Sequence, residues 1–357
     1  MGELVFRILI FLIALYAFFV SIDLMSASFK LSGKAFAQGL LETVSDPVAG
    51  MILGLLATTL IQSSSTTTSM VVGLVAAGTL PLRLAIPVVM GANIGTTVTN
   101  TLVSVGMVFR RGEFKRAFAA STVHDYFNVL AVIVLLPIEI FFHPIETCAT
   151  ALEKIFEGVG GIQMVSPLKT VVKPATHALT DAVPVAWILF LISLALLFLS
   201  LSQMVRAMRK LVLTRVEGLF DRVLFRNDLA GFVLGWILTA VIQSSSATTS
   251  LIVPLAGTGV LSLKKVFPYT LGANLGTTVT AILASFATGN PVAITVALSH
   301  LVFNVMGMAL FYPARALPIW LAARTGEIAA RSRKHMITVI TIYVVLHAVP
   351  ILYLVLR

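Results

Sequence analysis

Residues 50–70 read GMILGLLATTLIQSSSTTTSM, and residues 231–251 read GFVLGWILTAVIQSSSATTSL. About half the paired positions are identical, position 50 answering to 231, an offset of 181. The same offset carries 87–99, PVVMGANIGTTVT, onto 268–280, PYTLGANLGTTVT. His124, Phe127 and Asn128 then answer to His300, Phe303 and Asn304 at an offset of 176. The chain therefore contains one unit twice. In each copy two short apolar runs flank a polar one: 47–61 and 66–79 around 62–69, then 229–242 and 247–260. Some 15 helical residues reach about 22 Å, short of the roughly 30 Å hydrocarbon core of a bilayer. Each pair is predicted to be a re-entrant helical hairpin that enters a membrane and returns, with its polar tip at membrane depth.

Composition demands that membrane. Of 357 residues, 58% are hydrophobic and 11% charged, with a mean hydropathy of +1.00. Soluble domains carry about 25% charged residues, so this surface has to be solvated by lipid. Apolar runs of spanning length fall near 4–25, 84–108, 117–140, 183–205, 266–287, 292–312 and 336–356. Met1 to Val20 is read as the first membrane helix, because its basic flank is too weak for a secretory leader. The net charge of +10 lies in clusters between spans and forms no soluble basic face, which excludes nucleic acid as a partner. A single cysteine, Cys148, excludes an internal disulfide framework and thiolate metal clusters. No Gly-x-x-x-x-Gly-Lys-Ser/Thr loop is present, which argues against ATP drive.

Loop charge sets the topology. Arg110, Arg111, Lys115 and Arg116 form one basic cluster. Arg206, Arg209, Lys210, Arg215, Arg222 and Arg226 form a second, and Arg315, Arg324, Arg331, Arg333 and Lys334 a third. Loop 142–182 mixes Glu146, Glu153, Glu157 and Asp181 with Lys154, Lys169 and Lys173. Placing the basic clusters inside and the mixed loop outside requires two crossings between consecutive clusters. The spans supply them if each hairpin returns to its own side, with the N-terminus cytoplasmic and the C-terminus outside. Three crossings then separate the repeats, so the copies are inverted, as in secondary transporters. The expected fold class is an all-α polytopic membrane protein with two inverted-topology repeats. Each repeat is a re-entrant hairpin plus two transmembrane helices, with flanking helices besides. The expected division is 1–46, an N-terminal transmembrane helix and outer linker; 47–141, repeat 1; and 142–228, an outer loop, connecting helix and cytoplasmic linker. Repeat 2 follows at 229–314, then a cytoplasmic linker and C-terminal transmembrane helix at 315–357.

The polar runs Gln62–Ser69 and Gln243–Ser250 leave many groups to satisfy in lipid. Ser and Thr are good N-caps. A helix starting at each tip would point free N–H groups and a positive dipole end at the midplane, an anion site. Interhelical glue is the bland role of such hydroxyls, but a duplicated run at the break of two short helices favours a ligand. Gly91–Thr97 and Gly272–Thr278 interrupt apolar spans. Unwound backbone there, with Thr and Asn oxygens, suits a hard cation such as sodium; close packing through small residues is the plainer reading. Asp125 lies mid-span, so it is a cation or proton site by default, and its counterpart is Leu301. His124 and His300 read as structural hydrogen-bonders. No Lys or Arg falls deep in the repeat cores, so a bound anion needs helix ends, hydroxyls and co-bound cations. That predicts ion coupling.

These motifs resemble the type II sodium-dependent phosphate cotransporter family over about 47–140 and 228–314. The resemblance rests on QSSSTTTS, GANIGTTVTNT, FKRAFAASTVHDYFN, QSSSATTS, GANLGTTVT and HLVFN with FYP after it. It implies sodium-coupled phosphate uptake at the plasma membrane. It implies phosphate on Gln62, Ser63, Ser64, Ser65, Gln243, Ser244, Ser245 and Ser246, with Asn93 and Asn274 assigned alongside. It implies sodium on Asp125, Asn128, Thr277 and Thr280, with Thr96, Thr99 and Asn304 added. Asp125 resembles the Asp used for an additional sodium ion with net charge movement. Three sodium ions per divalent phosphate would carry one positive charge inward, worth about 2.3 kcal/mol per 100 mV. Sodium is then a coupling ion, and no further cofactor is expected. The partners are sodium, inorganic phosphate and the lipid bilayer, with a homodimer left open. Met107 and Arg110 depart from the Gln and Asp that the family often shows before its basic stretch, and Ala273 lacks a hydroxyl. The outer loop is short, as in a compact prokaryotic relative. Symport of another oxyanion, proton drive through Asp125, or a channel are the competing readings. A membrane enzyme lacks a nucleophile–base pair or metal cluster to support it.

Overall fold

A computed structural model describes residues 2–96, 98–159, 161–224 and 227–355. Its elements are all helices, sixteen among the described residues. Helix α1 (Gly2–Thr43) leads into α2 (Pro47–Ile61), α3 (Ser64–Ala76), α4 (Leu82–Gly95), α5 (Val98–Val105) and α6 (Arg111–Phe142). Helices α7 (Pro144–Gly158), α8 (Gly161–Ala182) and α9 (Ala186–Leu224) connect these to the second copy. That copy holds α10 (Asp228–Ile242), α11 (Ser245–Gly257), α12 (Leu263–Gly276), α13 (Thr278–Thr288) and α14 (Pro291–Phe311). Helices α15 (Ala316–Ala330) and α16 (Arg333–Val355) follow.

The sequence repeat is a structural repeat. Helices α2, α3 and α4 begin and end 181 positions before α10, α11 and α12. Matching caps start them: Asp46 Oδ1 accepts from the backbone N–H of Val48 and Ala49 at 2.8 and 2.9 Å, and Asn227 Oδ1 accepts from Ala230 N–H at 2.7 Å. The two copies interlock reciprocally. Helix α3 packs on α13 and α14, and α11 packs on α5 and α6; α4 meets α14, and α12 meets α6.

Five helical stretches among the described residues are long and apolar enough to cross a membrane: Leu4–Gly33, Arg111–Phe142, Ala186–Met208, Leu263–Thr288 and Pro291–Phe311. Phe36–Thr43 with Pro47–Ile61 adds a sixth candidate, bent by 100°. Large apolar side chains point outward along them; Phe141 is 76% exposed and Trp187 64%. Water would not tolerate such a surface and lipid does, so the chain is a multi-pass membrane protein.

Several expectations change. The span expected over 84–108 is two helices, α4 and α5, divided at Thr96, with Thr97 outside the described residues. The loop expected over 142–182 is largely helical, as α7 and α8. Glu139 caps α7: its Oε2 and Oε1 accept from Ile145 and Glu146 N–H at 2.7 and 3.0 Å. The linker after 315 contains α15, which packs on α6. Amphipathic helices such as α7 and α8 lack unbroken apolar runs, and the apolar run of α15, 316–323, is too short to span, so a search for spans passes over them. Helix α1 outruns its expected span and kinks at Gly33, whose φ is 77°. The span expected over 336–356 lies on α16, with residue 356 outside the described residues.

Gly91 and Gly272 do not unwind their helices. Both sit within continuous helix, where α2 presses on α4 and α10 on α12. A Cβ at Gly91 would stand 1.8 Å from Met51 O, and one at Gly54 would stand 1.9 Å from Val88 O. At Gly272 it would stand 1.9 Å from Phe232 O, and at Gly235 2.2 Å from Tyr269 O. The glycines serve backbone-to-backbone packing, the usual use of small residues between membrane helices.

Candidate functional site

Both Gln-Ser-Ser-Ser segments are helix breaks of one shape. Gln62 ends α2 at φ 59°, ψ 25°, and Gln243 ends α10 at φ 62°, ψ 26°. Ser63 and Ser244 then return to extended backbone and cap α3 and α11, each Oγ accepting an N–H at 3.2 Å, from Thr66 and Ala247 respectively. A left-handed residue other than Gly costs on the order of 1–3 kcal/mol, and here two glutamines bear that cost at equivalent points. A serine cap offsets about 1 kcal/mol. The free N–H groups and positive dipole ends of α3 and α11 are thereby presented at the breaks.

Threonine and serine hydroxyls tie one break to the other. Ser65 Oγ donates to Thr280 Oγ1 at 3.5 Å, and Thr280 Oγ1 donates to Gln243 Oε1 at 2.8 Å. Ser246 Oγ donates to Thr96 O at 3.4 Å, and Thr249 Oγ1 to Asn100 Oδ1 at 3.0 Å. A cavity of 320 Å³ opens between the breaks and α9, lined by Ser63, Thr66, Gln243, Ser244, Ser202 and Arg206 among others. The two halves are not equivalent there. Gln243 is buried, whereas Gln62 is exposed and donates from Nε2 to Thr59 O at 2.7 Å. Ser64 and Ser245, the first residues of α3 and α11, are buried beneath the breaks. Hydroxyls further along are engaged within their own helix, Thr67 with Ser63 O at 3.1 Å and Thr68 with Ser64 O at 2.9 Å.

A second polar centre joins α4, α6, α12 and α14. Asn128 Nδ2 donates to Asn93 O at 2.9 Å, and its counterpart Asn304 donates from Nδ2 to Asn274 O at 3.4 Å. Asn274 Nδ2 donates to both Asn128 Oδ1 (3.0 Å) and Asn304 Oδ1 (3.2 Å). His300 Nε2 pairs with Asn93 Oδ1 at 3.2 Å, and Thr277 Oγ1 donates to Asn274 O at 2.5 Å. All of these side chains are buried; in an apolar surrounding, partnered amides remove a cost of several kcal/mol. Asn93 and Asn274, assigned from sequence to phosphate, thus share one network with Asn128 and Asn304, assigned to sodium. Thr280 instead sits at the Gln243 break, and Thr96 Oγ1 donates to Ala92 O at 3.1 Å. The Thr99 side chain lies outside the described residues.

Asp125 lies one helical turn before Asn128 on α6 but shares no hydrogen bond with either centre among the described residues. It is buried, its Oδ2 accepts from the Tyr343 hydroxyl at 3.3 Å, and its Oδ1 has no partner among the described residues. It lines a largely apolar cavity of 490 Å³ with Phe118, Tyr126, Val129 and Ile342. Sequence reasoning gave no site role to Asn100 or Tyr343, took Thr66 only as part of the polar run and Arg206 only as part of a basic cluster. Asn100 closes the GTTVTN run and was within reach of the motif reading. Arg206 was absorbed into a basic cluster, and Tyr343 is an isolated polar group in an apolar helix with no spacing to single it out.

The profile of the Na+/Pi-cotransporter family matches residues 17–164 and 196–320. The sodium-dependent phosphate transport protein 2B of Homo sapiens is 31% identical over 429 aligned positions, covering 92% of this chain and 62% of that protein. Protein 2A of Ovis aries is 33% identical over 418 positions, covering 93% and 65%. Protein 2A of Rattus norvegicus is 33% identical over 403 positions, covering 89% and 63%. The chain thus spans less than two thirds of the length of these relatives. No solved structure matches it. The matched segments run through both Gln-Ser-Ser-Ser breaks, the asparagine network and Asp125, and the chain belongs to the Na+/Pi-cotransporter family.

Proposed function

We propose that the chain is a secondary active symporter that couples inward sodium movement to uptake of inorganic phosphate by alternating access, with net charge movement. The observation that carries this reading is the pair of identical breaks at Gln62 and Gln243, linked through Ser65 and Thr280. Two helix N-termini, serine hydroxyls and a carboxamide offer N–H and O–H donors to an oxyanion. The inverted arrangement, with each break the tip of a re-entrant hairpin, is supported by the reciprocal packing of α3 on α13 and α11 on α5, the pattern a two-fold relation would generate. Loop charge supports a cytoplasmic N-terminus and an external C-terminus in the plasma membrane.

The sodium assignments are proposed in two places. The first comprises Asn128, Asn304 and Thr277, which supply neutral oxygens at the asparagine network, with Thr280 at the second break. Asp125 supplies a carboxylate, and an extra cation there is what makes the cycle electrogenic. The relatives' printed names, sodium-dependent phosphate transport proteins, point the same way. Gln243→Glu tests the phosphate site: it is isosteric and puts a negative charge at the break. Phosphate KM in reconstituted vesicles should rise at least about 10-fold, since 1.4 kcal/mol of repulsion suffices for that. An unchanged KM removes the breaks from the phosphate site.

A further inference from the structure

The charge balance of the phosphate site has a member that neither repeat supplies. Arg206 lies on α9, the helix connecting the repeats, and is exposed. It stands one helical turn beyond Ser202, so both residues share one face of α9. That face closes the 320 Å³ cavity into which Ser63 and Thr66 project from one break and Gln243 and Ser244 from the other. Among the described residues the Arg206 guanidinium has no ion-pair partner. The guanidinium carries five N–H donors and lines the cavity. A guanidinium fork matches two oxygens of a phosphate in one plane, which a helix end or a hydroxyl cannot do.

We propose that Arg206 is a phosphate-positioning and charge-selecting residue: it receives the oxyanion at the mouth of the cavity between the two breaks and holds it bidentately. The inference rests on the assignment of that cavity to phosphate and adds to it a cationic ligand from outside the repeats. It explains how a divalent anion is drawn into a site whose other groups are neutral. Helix ends and hydroxyls recognise any small oxyanion, whereas a fixed positive charge beside them favours the dianion over the monoanion.

Phosphate uptake by reconstituted Arg206→Gln, Arg206→Lys and Gln243→Glu proteins tests this, with Arg331→Gln, outside the cavity, as a control for general surface charge. Arg206→Gln should raise phosphate KM about 10-fold with turnover at saturating phosphate kept within about threefold, a fold-change typical of losing one charge-assisted contact. Arg206→Lys, which keeps the charge and loses the fork, should fall between Arg206→Gln and the native protein. The ratio of KM at pH 6 to KM at pH 8 should shrink in Arg206→Gln, because preference for the dianion is lost. As an independent readout, Arg206→Cys in a Cys148→Ala background should react with a charged thiol reagent, and phosphate should slow that reaction. A KM for Arg206→Gln within twofold of native, or an Arg331→Gln effect of equal size, overturns the proposal. If Gln243→Glu raises KM while Arg206→Gln does not, only the role of Arg206 fails. If neither changes KM, the phosphate site itself is misplaced.

Discussion

The hydroxyl of Tyr343 donates to Oδ2 of Asp125 at 3.3 Å, and Oδ1 of the same carboxylate has no partner among the described residues beside a 490 Å³ cavity. Helix α16, beyond the second repeat, thereby holds one oxygen of a buried carboxylate on the first repeat. In the proposed cycle that bond fixes the rotamer of Asp125 and leaves Oδ1 for a cation. Tyr343→Phe should therefore weaken sodium activation of phosphate uptake by about 3- to 10-fold, the roughly 0.7–1.4 kcal/mol that one long hydrogen bond contributes. Asp125→Gly should go further and reduce the current per phosphate transported. Sodium activation curves and paired flux and current recordings provide the check; Tyr343→Phe with native sodium dependence would disconnect the two residues functionally.

Gln62 and Gln243 share a backbone conformation but not an environment. Glycine at either position relieves left-handed strain worth on the order of 1 kcal/mol. Gln62 is exposed, so Gln62→Gly, which loses the Nε2–Thr59 O bond, should stabilise the protein by up to about that amount. Gln243 is buried and accepts from Thr280, so Gln243→Gly should gain little or nothing and should raise phosphate KM. Thermal unfolding in detergent separates the two outcomes. Equal stabilisation by both substitutions would mean that the Thr280 bond is worth nothing to the fold.

At Gly91 a single methyl group meets the backbone of another helix, 1.8 Å from Met51 O. Gly91→Ala should force α2 and α4 apart and cost about 2 kcal/mol or more. Gly39→Ala has open space around its Cβ and should be neutral or stabilising by up to about 1 kcal/mol. Unfolding midpoints compared under one detergent condition decide it. A Gly91→Ala protein as stable as the native one would contradict the close approach of the two helices.

The duplicated motifs made much of this arrangement legible. A run such as Gln62–Ser69 cannot face lipid, so its break, its serine cap and its burial follow from chemistry local to the sequence. Spans were legible for the same reason, wherever an unbroken apolar run marked them. Helices α7 and α8 were not, because their apolar residues are spread by helical period and only tertiary packing assembles them into a face, and α15 was not because its apolar run, 316–323, is too short to mark a span. The glycines misled in part: the segments Gly91–Thr97 and Gly272–Thr278 do break, at Thr96 and Thr277, but Gly91 and Gly272 themselves stay helical. Gly91 permits unwinding and also permits contact, and only the neighbour at Met51 decides between them. The partnership of Asn274 with Asn128 spans 146 positions, and that of Tyr343 with Asp125 spans 218. Nothing in local spacing encodes such pairs. Arg206 was hidden for another reason: a cluster of basic residues reads as topology, and one member of it faces the cavity.

Sodium-coupled accumulation is the centre of the account, and radiolabelled phosphate uptake into proteoliposomes measures it directly. With sodium outside and potassium inside, internal phosphate should rise above the external concentration and then relax as the sodium gradient dissipates. Replacing external sodium with potassium or a proton gradient should abolish the rise. Accumulation that is indifferent to sodium would contradict the account.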